Sequence, residues 1–260
     1  MGLGKFFLKL SGRRRTFGFS FTLLRFFNSM TFGRLWDFKI NGELDVISLV
    51  SKRFPIKVFF DVGANTGEYF FMVSELLKNQ EVQYHLFEPS PLTFKSLESS
   101  LARRKNVFLN QLALGKSEGR MEDFYQHPIH TLSGFYSKPN ENSTPINVNI
   151  VSIDYYTEVK KITKIDFLKL DVEGHELEIL KGASALIHSG NISFIQFEFG
   201  INNFQSRTYF KDFYDLLTPN YNLYLIQVGG LIPISTYFYE LESFGKVCNY
   251  FAVNKRIQWP

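Results

Sequence analysis

The sequence predicts a doubly wound α/β domain. Its mostly parallel sheet has seven strands, an antiparallel C-terminal edge and a helical N-terminal extension. Two patterns carry this prediction. Short apolar runs alternate with helical segments from Ile56 onward, and such alternation builds βαβ units around a parallel sheet. Several of these runs also end in an acid or a glycine turn, as sheet strands do where they deliver side chains to a crevice. With 260 residues and 45% hydrophobic content, the chain suffices for one large packed domain and is far from disordered composition. We divide it into an extension over 1–53 and a domain over 54–260.

The elements follow in order. Residues 1–30 interleave cations with Phe6, Phe7, Leu10, Phe17, Leu23, Leu24, Phe26 and Phe27, which reads as a basic amphipathic segment. Residues 41–53 place Leu44, Ile47 and Val50 at helical spacing, ahead of Pro55. A strand at 57–61 precedes a helix at 70–78, a strand at 82–87 precedes a helix at 93–104, and a third strand covers 107–114. Residues 115–150 break this rhythm with polar, Pro and Gly positions, as expected of a stretch that covers or lines a site. A strand at 165–170, a helix from about 176 to 187 and a strand at 192–197 restore it. The tail holds a helix near 209–217 and strands at 221–227 and 247–253, which suit an antiparallel pair.

Charge is distributed unevenly. The net formal charge is +4. Residues 1–39 hold eight cations against Asp37 alone, a net +7, so the remainder sums to −3. The extension therefore has two open uses: a helix packed on the body with its cations in water, or a peripheral contact with a membrane surface through residues 1–30. The lone cysteine, Cys248, forms no internal disulfide and suggests a reducing, cytoplasmic setting. No run is long and apolar enough to span a bilayer.

The first informative motif is Asp61-Val62-Gly63-Ala64-Asn65-Thr66-Gly67, at a strand-to-helix junction. Gly63 and Gly67 let backbone approach a ligand where a β-carbon would stand in the way, and a helix N-terminus offers free N–H groups. Glu88 lies 21 residues beyond Gly67, at the end of the next strand, where an acid accepts hydrogen bonds from ribose hydroxyls. Asp171 and Glu173 end another strand, and Glu198 ends the one after it. If the Asp171 strand adjoins the first strand, these acids face the crevice at the point where strand order reverses. The plainer reading is helix capping, open to Glu173 and Glu176.

Five ordered blocks resemble the FkbM family, a branch of the Rossmann-like class I S-adenosylmethionine-dependent methyltransferases. They are Phe59 through Gly67, Phe87-Glu88-Pro89, Ala113-Leu114-Gly115, Ile153-Asp154, and Ile165 through Gly174 running on to Leu180-Lys181-Gly182-Ala183. The resemblance implies S-adenosylmethionine as cofactor. By position it implies that Asp61, Gly63, Asn65 and Gly67 shape the pocket for the methionine part, and that Glu88 holds the ribose. It further implies that Gln111 and Leu112 flank the adenine and that Asp171 lies by the amino group. It also implies a hydroxyl acceptor on a sugar, glycan, lipid-linked or natural-product molecule. Such a hydroxyl needs a general base. The candidates are His175, whose type titrates near neutrality, Glu173 and Glu198; His127 and His130 enter only if the irregular stretch folds over the site. No spacing demands a metal. A nicotinamide oxidoreductase would normally carry glycine where Asn65 stands, and a catalytically dead binding protein has no need of these acids. A nucleic-acid substrate fits poorly with a net-negative body that has no Asn/Asp-Pro-Pro-Tyr/Phe motif.

Overall fold

Strand follows helix through the central region because the apolar runs are long enough to be buried on both faces, and the segments between them bury only one. A computed structural model describes residues 17–32, 38–101, 103–116, 119–129, 133–136, 142–242 and 247–259. Its strands are β1 (Val58–Val62), β2 (Gln83–Phe87), β3 (Val107–Asn110), β4 (Ala113–Leu114), β5 (Arg120–Gln126), β6 (Thr144–Val151), β7 (Ile165–Leu170), β8 (Ile192–Gly200), β9 (Tyr221–Gln227), β10 (Gly230–Ile234) and β11 (Val247–Asn254). The described helices are α1 (Phe17–Phe32), α2 (Glu43–Ser51), α3 (Glu68–Leu76), α4 (Pro91–Leu101), α5 (Ile153–Lys160), α6 (Glu176–Lys181), α7 (Ser184–Ser189), α8 (Ile201–Ser206) and α9 (Phe210–Leu217).

The main sheet runs β10-β9-β11-β8-β7-β1-β2-β3. Its five strands from β8 to β3 are mutually parallel, while β11, β9 and β10 pair antiparallel. The architecture is the doubly wound, mostly parallel α/β fold expected, with its antiparallel C-terminal edge. An eighth strand, β10, joins that edge through the two-residue turn Val228-Gly229. It contains Pro233, which an edge strand tolerates because no ladder continues beyond it.

Two layers of side chains hold the sheet. On one face Phe59, Phe167, Phe194 and Phe251 meet α2, α3 and α4 through Val46, Ile47, Tyr69, Phe70 and Leu97. Phe59, Phe167 and Phe194 are register partners across β1, β7 and β8, and Phe251 lies diagonally across from Phe194 on β11, opposite Gln196. Phe59 and Phe167 are 5.1 Å apart and nearly parallel, and Phe194 and Phe251 are 5.8 Å apart. On the other face Phe60, Leu168, Ile195, Phe197 and Tyr250 pack on α5, α6, α7 and α9. Helix α2 falls within the 1–53 extension, yet Val46, Ile47 and Val50 are as buried as the sheet itself.

Three local departures have physical causes. The strand expected over 107–114 divides between two sheets: β3 pairs with β2, and β4 pairs with β6. The expected irregular stretch contains β5 and β6, which pair antiparallel over a small core of Ala113, Phe124, Val148 and Ile150. The expected helix over 176–187 divides into α6 and α7 at Gly182-Ala183.

Because the aromatic row is shared by four strands, Phe167→Ala should lower stability by about 3–5 kcal/mol. The exposed Met121→Ala should stay within about 0.5 kcal/mol. Urea unfolding midpoints of the two variants measure the difference.

Candidate active site

The same sheet face that carries the aromatic row carries a polar row one step nearer the carboxyl edge. Side chains two apart on a strand share a face. Phe59 is thus followed by Asp61, Phe167 by Lys169, and Phe194 by Gln196 and then Glu198. Register sets these residues side by side: Asp61 opposite Lys169, Lys169 opposite Gln196, and Glu198 opposite Asn249 on β11. Above this row opens a cavity of about 450 Å³. It lies where β1 has β2 on one side and β7 on the other, the reversal point at which open α/β sheets bind ligands.

Lys169 is the centre of the row. Its ammonium is 3.0 Å from Asp171 and 3.8 Å from Asp61, and it sits 4.3 Å from the Tyr69 ring centroid. Burial alone would lower its pKa, but the carboxylates of Asp171, Asp61 and Glu43 outweigh that and hold the proton. Asp61 is fully buried, and burial pushes its pKa up to about 6 even with Lys169 opposing. Sequence reasoning missed Glu43, which enters this site from α2. It accepts hydrogen bonds from Asn41 Nδ2 at 2.6 Å, Gln196 Nε2 at 2.6 Å and Asn249 Nδ2 at 2.9 Å. Gln196 accepts in turn from the Tyr69 hydroxyl at 3.3 Å. One polar network therefore joins the extension, α3 and the three strands β7, β8 and β11.

The Asp61–Gly67 turn sits between β1 and α3. Gly63 has φ +82°, and a β-carbon there would fall 1.8 Å from the Asp171 carbonyl oxygen. Gly67 has φ +90°, and a β-carbon there would meet Leu97 of α4 at 2.9 Å. Both glycines were expected to make room for a ligand. Instead each makes room for protein, although Gly63 also lines the cavity. Asn65 adopts φ +50°, a left-handed conformation that Asn tolerates better than most residues. Its backbone N–H donates to Glu88 Oε2 at 3.1 Å, and its side-chain oxygen is buried without a partner. Glu88 Oε1 accepts from Ser90 N–H at 2.9 Å. Burial raises the Glu88 pKa to about 7 against these two bonds.

Beyond β7 the chain turns sharply at Glu173, which has φ +57°. Glu176 holds that turn by accepting from the N–H groups of Val172 and Gly174, both of which precede α6. Glu173 instead faces the cavity, held by a hydrogen bond from Asn202 Nδ2 on α8. Burial, then the neighbouring Asp171 and Glu176, push its pKa up to about 8. Glu198 also lines the cavity, and burial with the charges of Asp171, Glu173 and Glu176 raises its pKa well above the ordinary range.

His175 differs from the neutral-range base expected. It is buried, hydrogen-bonded through Nδ1 to the Tyr136 hydroxyl at 3.1 Å and packed 4.3 Å from the Phe135 ring. Burial lowers its pKa to about 4, which removes the match to neutral pH that recommended it as a base.

Asn65, Gly63, Glu88, Leu112, Asp171, Glu173, His175 and Glu198 thus line one cavity. Asp61 lies beneath its floor, and Gly67 stands behind it. Gln111 is a correction: it is exposed and outside the lining, because the chain changes sheets at this point and turns Leu112 inward instead. His127 caps a short turn, accepting from Ile129 N–H at 3.0 Å, and does not line the cavity. His130 lies outside the described residues. From the 115–150 stretch, Phe124, Ser133 and Phe135 reach the cavity. Among the described residues, no cluster of three or more His, Cys, Asp or Glu is arranged to hold a metal, and no helix is long and apolar enough to cross a membrane.

With this geometry in view, the chain matches the family model described as the methyltransferase FkbM domain over residues 61–226, more than half its length. The chain belongs to the FkbM methyltransferase family. The hexuronic acid methyltransferase AglP of Haloferax volcanii is 30% identical over 165 residues, covering 63% of this chain and 65% of that protein. The 31-O-demethyl-FK506 methyltransferase FkbM of Streptomyces tacrolimicus is 29% identical over 157 residues, covering 49% and 60%. This FkbM-family chain therefore spans less than two thirds of the length of either relative. Among solved structures, the methyltransferase FkbM from Methylobacillus flagellatus aligns with TM-score 0.47 and 17% identity, over 76% of this chain and 43% of that one.

Removing the buried ammonium with Lys169→Met should destabilise the fold by about 3–5 kcal/mol, the usual effect of orphaning a buried partner. Adding Asp61→Asn should restore part of that loss in urea unfolding. Glu88, Glu173 and Glu176 carry pKa values raised to about 7, 8 and 7. The folded chain therefore retains protons that the unfolded chain has released, and the sign of the linkage makes stability fall as pH rises. Unfolding free energy should be higher at about pH 5.5 than at about pH 8.5, a range that brackets those shifts.

Proposed function

We propose that this chain is an S-adenosylmethionine-dependent methyltransferase acting on a hydroxyl of a sugar, glycan, lipid-linked or natural-product acceptor. The observation that carries the reading is the convergence of Glu88, Asp171 and Glu198, from the ends of three different strands, on one cavity at the strand-order reversal. The family and the activities named for the two relatives, on a hexuronic acid and on 31-O-demethyl-FK506, support it.

The donor set suits such a cofactor. The buried side-chain oxygen of Asn65 has no partner and awaits a donor. The acids around Lys169 make a site for a cation, since they outnumber the one ammonium that faces them. Each Glu88 oxygen already accepts one backbone N–H and keeps a second lone pair for a ribose hydroxyl. Leu112 and Phe87 offer apolar surface for an adenine, and Asp171 is placed to hold an amino group. When bound, S-adenosylmethionine supplies an electrophilic methyl carbon. The chain's own task is then to align a nucleophile and remove its proton.

Glu173 serves that second task better than His175. Its raised pKa makes its carboxylate the stronger proton acceptor, and the Asn202 hydrogen bond fixes its direction. Phe124, Ser133 and Phe135, on the opposite wall, are the residues we assign to the acceptor side. We place the catalytic domain at residues 54–260, with Glu43 contributed from the extension.

Calorimetry should detect S-adenosylmethionine binding and no NAD binding; the reverse would return the oxidoreductase reading. Glu88→Ala should weaken cofactor binding by about 1–3 kcal/mol, and unchanged affinity would remove Glu88 from the pocket. Glu173→Gln should slow methyl transfer by about 10²- to 10⁴-fold and flatten the rise in rate toward about pH 8 expected from its pKa. A panel of uronic-acid glycans and other hydroxyl acceptors, scored by S-adenosylhomocysteine release, provides the assay.

A further inference from the structure

Helix α1 is apolar over most of its circumference and is covered by none of the described residues along its first three turns. Phe17 is 65% exposed, Phe19 70% and Leu24 62%, and Phe21, Leu23, Phe26 and Phe27 are exposed as well. At 100° per residue, Gly18, Thr22 and Arg25 fall on one narrow strip. The seven apolar side chains spread over the remaining arc, with Ser20 among them. That arc is too broad for a paired-helix seam, which occupies two positions in seven. An apolar arc this broad needs cover from protein or lipid, and partial burial in a lipid interface supplies it while leaving the strip of Thr22 and Arg25 toward water.

Charge identifies the surface. The sixteen residues before α1 carry Lys5, Lys9, Arg13, Arg14 and Arg15 and no acid, while the chain beyond residue 39 is net negative. A second copy pairing through α1 would bring two such cationic stretches together. An anionic bilayer would be attracted to both the charge and the apolar arc.

The attachment point gives the contact a direction. Gln227 Nε2 donates to the Thr31 carbonyl near the end of α1, at 3.0 Å. Gln227 ends β9, which runs in the same sense as β8, so it lies on the carboxyl edge of the sheet. That is the edge at which the cavity opens, and Phe38 and Asn41, just after α1, line the cavity itself.

We propose that α1, together with the cationic residues before it, docks this chain on an anionic lipid surface and holds the cavity edge of the sheet near that surface.

The test uses the full chain and vesicles of phosphatidylcholine, with and without phosphatidylglycerol, read by flotation. The chain should float with the mixed vesicles, and raised salt or pure phosphatidylcholine should reduce this. Replacing Arg13, Arg14 and Arg15 with Gln should weaken binding on the order of a hundredfold, from the loss of three surface attractions. Phe19→Glu with Phe26→Glu should abolish flotation while leaving thermal unfolding and S-adenosylmethionine affinity unchanged, because neither residue lines the cavity. Equal binding to both vesicle types, or no binding to either, would overturn the proposal. So would a phenylalanine double variant that still floats, or one whose only effect is to turn an oligomer into a monomer in light scattering.

Discussion

A single buried ammonium sets the terms for the rest of the site. Lys169 enters the hydrophobic sheet at the level where the aromatic row ends. It is tolerated there because Asp61 and Asp171 stand within ion-pair distance and Tyr69 presents a ring face. Taking such a cation out of water costs several kcal/mol unless its partners are well placed. Those partners fix the end of β1, the end of β7 and the first turn of α3. The floor of the crevice at the carboxyl ends of β1 and β7 is therefore fixed by ion pairing as well as by packing.

That balance is deliberately incomplete. Glu43, Asp61, Glu88, Glu173, Glu176 and Glu198 all have raised pKa values, with burial the leading cause in each. A site with more buried acids than cations stores part of its electrostatic cost as bound protons. An incoming positive group would let those protons leave. Affinity for a cationic ligand and acidity of the site are thus two expressions of one surplus of carboxylate.

The sequence made the frame legible because the frame rests on short-range signals. Apolar runs bounded by Gly63, Glu88 and Asp171 marked the strand ends, and those ends are where the cavity lies. What stayed hidden depended on contacts between distant segments. Glu43 reads as an ordinary acid in the first turn of a helix, and only the register of β8 and β11 brings Gln196 and Asn249 to it. The β5–β6 pair was also obscured, since Ile146, Val148 and Ile150 alternate as a strand should but lie after a stretch rich in turn residues. His175 was misjudged for a related reason: residue type suggested a neutral-range base, and burial against Phe135 removed that property. Gln111 was misplaced because no local signal announces that a strand is about to change sheets.

The reach of Glu43 across the expected domain boundary has a consequence for how this protein tolerates shortening. Two amides, one on β8 and one on β11, direct their hydrogens at a carboxylate that belongs to neither strand. A chain shortened only at its N-terminus, to residue 61 where the family match begins, would leave both donors without their acceptor and would strip one counter-charge from the lysine beneath. The segment that lies ahead of the family match is, in physical terms, a wall of the cavity.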